Sequence, residues 1–177
     1  MVKRTEIRLT GSGGQGLILA GIILAETAIM EGNNAVQSQS YGPEARGGAS
    51  KAEVIISNDD IYFPKVDKAD FMLSLTQVAL DKYAHTLKED GVLVVDSSLK
   101  VPSDLKIGKV ISIPILDTAK EVIGKSMVAN IVALGAIQEL SGMVSKEHLE
   151  EAVLSRVPRG TEELNKKALQ EGYNLVK

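Results

Sequence analysis

Two short stretches carry the residue types and spacing from which chemistry can be argued. The first is Gly11-Ser12-Gly13-Gly14-Gln15-Gly16, a G-x-G-x-x-G pattern between a strand-like run and a long apolar run. Glycines there allow a tight turn and close backbone approach. The free N–H groups at the start of the following helix would then face an anion, which the helix dipole favours. A pyrophosphate, a phosphate or a carboxylate would suit equally. The second stretch is Ser40-Tyr-Gly-Pro-Glu-Ala-Arg-Gly-Gly48, where three glycines and a proline set a path from which Tyr41, Glu44 and Arg46 project. Arg46, beside Gly47, is suited to pairing with a phosphate or with a carboxylate of another chain; an internal Glu44–Arg46 pair that ties down the loop is the plainer alternative.

Neighbouring residues exclude several specialised uses of the glycine turn. A phosphate loop of the Walker type needs Lys and Ser/Thr after its last glycine, and Leu17-Ile18 stand there. A kinase loop needs a catalytic H-R-D and a D-F-G, which the chain lacks. A nicotinamide dinucleotide site needs a carboxylate about 20 residues on, and Val36-Gln-Ser-Gln-Ser40 holds none. The glycines could also serve only to pack the first helix close to a sheet. His85 and His148 lie in polar stretches and read as solvated. Glu147, Glu150 and Glu151 read as one wet helix face, and Asp96, at a strand end, as a turn former with Ser97-Ser98. No metal-ligand cluster and no nucleophile–base constellation emerges. The chain is equipped to bind an anion and poorly equipped to catalyse alone.

The elements that must position these loops follow from periodicity. Ile7 and Leu9 alternate with polar residues as in a strand, and Leu17–Met30 fits a helix packed on a sheet. Residues 35–40, 69–75, 91–96 and 110–115 read as further strands. Residues 53–57 and 61–63, around Asn58-Asp59-Asp60, read as a hairpin. Helices are expected over 117–123, 126–141, 145–156 and 161–171, with Thr76, Ser145 and Thr161 as N-caps of their helices. The alternation predicts a single α/β domain over 1–177. Its expected form is a three-layer, Rossmann-like sandwich with a mixed, mostly parallel sheet, one hairpin and C-terminal helices. With 44% hydrophobic residues and a net charge of −3 without a basic cluster, neither a nucleic-acid partner nor a membrane is expected. The chain has no cysteine, so disulfides and thiolate-held zinc or iron–sulfur clusters are excluded within it. Met1–Glu6 is charged and resembles no signal peptide, and a cytoplasmic location is expected.

GSGGQG at 11–16 together with SQSYGPEARGGAS at 38–50 resembles the gamma subunit, or gamma domain, of 2-oxoacid:ferredoxin oxidoreductases. The likeness continues through KADFMLSLTQVALDKY at 68–83, VLVVDSS at 92–98 and VANIVALGAI at 128–137, in the family's order. The resemblance implies a complex that oxidatively decarboxylates a 2-oxoacid, with coenzyme A taking the acyl group and ferredoxin the electrons. Thiamine diphosphate and the iron–sulfur clusters would sit on alpha, beta and delta partners. This chain would contribute to assembly and to the coenzyme A side of the active site, through Gly11 to Gly16 with Tyr41, Glu44, Arg46 and Gly47 beside them. It would be inactive alone, and a homodimer is expected when it is isolated. YGPEARGG looks more like the 2-oxoglutarate or branched-chain members than the pyruvate members. A free-standing NAD(P)-binding enzyme and a pure scaffold are the competing readings.

Overall fold

Apolar residues of the strands point to both faces of one sheet and build two cores. The computed structural model describes residues 4–40 and 48–177. The chain begins with β1 (Thr5–Ser12), α1 (Leu17–Met30), β2 (Asn34–Gln39), β3 (Ala49–Ser57) and β4 (Ala69–Ser74). It goes on through α2 (Gln77–Tyr83), β5 (Leu87–Asp96), β6 (Lys109–Ile113) and a short α3 (Ile115–Asp117). It ends with α4 (Ala129–Ser141), α5 (Lys146–Arg156) and α6 (Glu162–Asn174).

The six strands form one sheet in the order β2-β3-β1-β4-β5-β6. β1, β4, β5 and β6 pair in parallel, and β3 runs antiparallel between β1 and β2. Ile7, Leu9, Val54 and Leu73 face the larger core, under α1 and α4. Ile55, Met72, Leu93 and Val95 face the smaller core, which α2 closes with Ala79 and Leu80. Helices thus cover both faces of a mixed, mostly parallel sheet, as the alternation of elements predicts.

Arg8 and Glu53 face each other across β1 and β3, 3% and 6% exposed. The Arg8 Nε donates to Glu53 Oε1 at 2.9 Å, and its other nitrogens reach the Val66 carbonyl and the Thr86 hydroxyl. Lys51 Nζ adds a second cation to Glu53 Oε1 at 2.6 Å. A buried ion pair is tolerable only when its remaining donors are satisfied, and here they tie the connection after β3 and the turn after α2 onto the sheet.

Several local expectations need correction. Residues 61–63 form no strand, so the hairpin expected around Asn58-Asp59-Asp60 is absent. The reason is topological: β1 and β2 occupy both edges of β3, leaving none for a returning strand. Both antiparallel partners of β3, the strands β1 and β2, precede it in the chain. The last strand stops at Ile113; Pro114 turns the chain, and Ile115 opens α3, which runs into a wider helical turn over Thr118–Val122. Thr76 and Ser145 cap their helices as expected, accepting from Ala79 N at 3.4 Å and His148 N at 3.3 Å. Thr161 occupies the cap position of α6, yet its hydroxyl donates to the Pro158 carbonyl at 2.6 Å.

Candidate functional site

The glycine turn leaves the C-terminal end of β1 where the sheet divides, with β3 on one side and β4 on the other. In open α/β sheets that end is where ligands bind. Gly14 and Gly16 both take left-handed backbone conformations, φ 87° and 72°, which glycine adopts without penalty. At Gly11 a Cβ would lie 2.2 Å from Gln15 Oε1, so the end of that side chain would have to move aside. That oxygen turns back into the loop and accepts from Ser12 N–H at 2.8 Å, while Gln15 N–H donates to Ser12 O at 3.4 Å. Ser12 and Gln15 therefore brace the turn from inside.

Gly16 is the N-cap of α1 and supplies no side-chain cap, and the first turn of α1 holds no acidic residue. The first N–H groups of a helix have no carbonyl a turn earlier to bond, so they are open to a ligand, and the dipole adds positive potential. Beside them lies a cleft of about 630 Å³. Ser12, Gly13, Gly14 and Gly16 form one side of it, Leu17, Ile18, Leu19 and Ile22 an apolar wall, and Ser40 and Ser50 the far edge. Gly13 and Gly14 are exposed, as a phosphate-contacting turn must be. The described lining carries hydroxyls and backbone amides but no ionisable side chain. It can hold an anion with an uncharged, partly apolar extension; it offers no general acid or base.

Ser40, with which the second predicted stretch begins, lines this cleft. Ser40 N–H donates to Lys51 O at 3.2 Å, and Ser50 pairs with Gly11 across β1 and β3. Tyr41, Glu44, Arg46 and Gly47 themselves lie outside the described residues.

The other titratable candidates are engaged in structure. Asp96 is 2% exposed; Oδ1 accepts from Ser98 N and Oγ at 3.0 and 2.6 Å, and Oδ2 from Leu116 N at 2.8 Å. It ties the β5 turn to α3, as its reading as a turn former implies. Glu147, Glu150 and Glu151 are exposed, and so is His85. His148 departs from expectation: its Nδ1 lies 3.2 Å from Glu31 Oε1 and 3.1 Å from Ser145 Oγ, joining α5 to the end of α1. Burial pushes the Glu31 carboxyl up, but hydrogen bonds from Ser145 and His148 outweigh it and hold the group below its ordinary value of 4.5. A second cleft, of about 520 Å³ beneath α2, mixes Lys68, His85 and Lys106 with Asp81, Glu89 and Asp104 and has no single sign. Among the described residues no three His, Cys, Asp or Glu side chains are grouped to hold a metal.

One residue of the site escapes sequence reasoning. Asn130, 4% exposed at the start of α4, donates from Nδ2 to the Gly16 carbonyl at 3.2 Å. A Cβ on Gly16 would lie 2.5 Å from that nitrogen. Only its position within VANIVALGAI, a segment of the family likeness, offered a signal.

The chain is similar to known proteins over nearly its whole length. The family model for pyruvate ferredoxin/flavodoxin oxidoreductase matches residues 6–175. A Methanocaldococcus jannaschii protein, 2-oxoglutarate synthase subunit KorC, is 52% identical over 98% of this chain and 95% of its own length. A keto/oxoacid ferredoxin oxidoreductase gamma subunit from Geobacter sulfurreducens superposes with a TM-score of 0.86 at 55% identity, covering 97% of this chain and 98% of that one. The 2-oxoglutarate:ferredoxin oxidoreductase of Magnetococcus marinus, with 2-oxoglutarate, coenzyme A and succinyl-CoA bound, gives a TM-score of 0.87 at 25% identity. That match covers 99% of this chain and 31% of the Magnetococcus chain.

Proposed function

This chain belongs to the pyruvate ferredoxin/flavodoxin oxidoreductase family, and from that premise we propose that it is the gamma subunit of a 2-oxoglutarate:ferredoxin oxidoreductase, holding coenzyme A at its glycine turn. The observation that carries the reading is near-full-length identity of 52% to a 2-oxoglutarate synthase subunit. The complex would convert 2-oxoglutarate and coenzyme A to succinyl-CoA and carbon dioxide, passing two electrons to ferredoxin. Alpha, beta and delta partners would hold the thiamine diphosphate, which supplies the electron sink for decarboxylation, and the iron–sulfur clusters. The absence of cysteine from this chain fits that division.

What this chain would do is bind and orient. Backbone N–H groups at Gly13, Gly14 and the start of α1 suit the phosphates of coenzyme A, and Ile18 and Ile22 suit its uncharged arm. Arg46, with Tyr41 and Glu44, would approach from the second loop. The isolated chain would self-associate through exposed apolar residues outside the glycine-turn cleft, such as Met127, 78% exposed. None of its described helices is long and apolar enough to cross a membrane, which accords with a cytoplasmic complex.

The test is anaerobic purification of the tagged chain from its source, followed by coenzyme A-dependent viologen reduction with a panel of 2-oxoacids. We expect brown material containing larger chains and active on 2-oxoglutarate. A colourless chain recovered alone, saturating with micromolar NADH, would replace the reading with a free-standing dinucleotide enzyme.

A further inference from the structure

We infer that Asn130 is a positioning residue for coenzyme A: it aims the first free amide of α1 without itself touching the ligand. The inference rests on the proposed coenzyme A site.

The geometry is that of a brace between two elements far apart in the chain. The Asn130 carboxamide donates from Nδ2 to the Gly16 carbonyl at 3.2 Å and accepts from Ile131 N–H at 3.0 Å through Oδ1. Both ends of the side chain are used, and at 4% exposure its freedom to rotate is small. The Gly16 carbonyl also accepts from Ala20 N–H at 3.0 Å, but that bond lies within α1 and moves with it. Asn130 is what refers the carbonyl to α4.

A carbonyl held in this way sets a donor. The peptide joining Gly16 and Leu17 is planar and trans, so its C=O and N–H point in opposite directions. Fixing the oxygen against Asn130 fixes the Leu17 N–H, and Leu17 lines the 630 Å³ cleft beside Gly13 and Gly14. Gly16 must be glycine for the same reason: its φ of 72° and a Cβ-to-Nδ2 distance of 2.5 Å both exclude a side chain where the brace passes. A pre-aimed donor spares the ligand the cost of ordering it on binding.

The test uses the assembled complex. Asn130→Ala removes the brace; Asn130→Asp keeps the shape and the acceptor for Ile131 but turns a donor into a carboxylate facing a carbonyl. Asn130→Ala is expected to raise the KM for coenzyme A about tenfold, the effect of one lost hydrogen bond, and Asn130→Asp to raise it further. The KM for the 2-oxoacid should hold, a split that general loosening of the fold would not produce. Wild-type complex is measured in parallel for protection of the residue 13–19 amides from hydrogen exchange by coenzyme A. Protection in the wild type with an unchanged coenzyme A KM in both variants would overturn the role of Asn130 alone. Failure of both variants to assemble would assign Asn130 to the fold and overturn it as well. Absence of protection in the wild type would remove the coenzyme A site, and this inference with it.

Discussion

Gly14 and Gly16 both carry a left-handed φ, yet substitution should not affect them equally. An alanine at either pays for a left-handed φ, about 1–2 kcal/mol. At Gly14 the new methyl meets nothing within 4 Å; at Gly16 it would lie 2.5 Å from the Asn130 carboxamide. That side chain is buried and bonded at both ends, so yielding adds an overpacking cost of about 1–3 kcal/mol. Denaturant unfolding of the two variants should therefore place Gly16→Ala well below Gly14→Ala; equal losses would show that Asn130 gives way freely. The site divides along the same line in what its sequence discloses. The glycine spacing is local, so the turn, its left-handed positions and the helix start can be read directly. Asn130 cannot be, because its partner lies 114 residues away and nothing in a helix-forming apolar segment marks an asparagine as facing a carbonyl.

Helices α4 and α6 approach more closely than side chains normally permit. A Cβ on Gly172 would fall 2.1 Å from the Val132 carbonyl, and one on Gly135 2.4 Å from the Leu169 carbonyl. In each case the obstacle is backbone, so relief requires the helices to separate. Gly172→Ala should cost about 3 kcal/mol or more and lower the melting temperature of the isolated chain; a change near zero would mean that the α4–α6 contact is loose. Elements with strong internal periodicity are the ones the sequence discloses: α1 runs over Leu17–Met30, as its apolar run predicts. The missing hairpin shows the limit. Ile61-Tyr-Phe63 has strand-forming residues, but whether they pair depends on a free sheet edge, and β2 takes it from the far side of another loop. Arg8 and Glu53 meet the same limit. Nothing in the alternation of their strands discloses that both charges are buried, and only cross-strand pairing explains why burial is tolerated.

At the scale of the whole molecule, the C-terminal helices are held to the rest by groups that titrate at opposite ends of the pH range. Glu31, at the end of α1, accepts from Ser145 N–H at 2.6 Å and thereby fixes the start of α5. Its pKa is depressed in the fold, so its contribution is present above the unfolded value of 4.5 and is lost as pH falls below it. Tyr173, on α6, behaves in the reverse sense. Burial, with Glu150 and Glu139 nearby, pushes its hydroxyl from 10.0 up to about 12. The folded chain then keeps a proton that the unfolded chain releases, so stability is full below pH 10 and declines as pH rises toward 12. The Lys146 ammonium, 4.5 Å from the Tyr173 ring centre, does not reverse this, since the two acidic neighbours and burial dominate. Melting temperature plotted against pH should form a plateau with two shoulders. Glu31→Gln should flatten the acid shoulder and Tyr173→Phe the alkaline one, each leaving the other in place. If either substitution moved both shoulders, the α1–α5 and α4–α6 contacts would be one cooperative unit and the two groups could not be assigned separate limbs; if neither moved any, the C-terminal layer would be held by its apolar contacts alone.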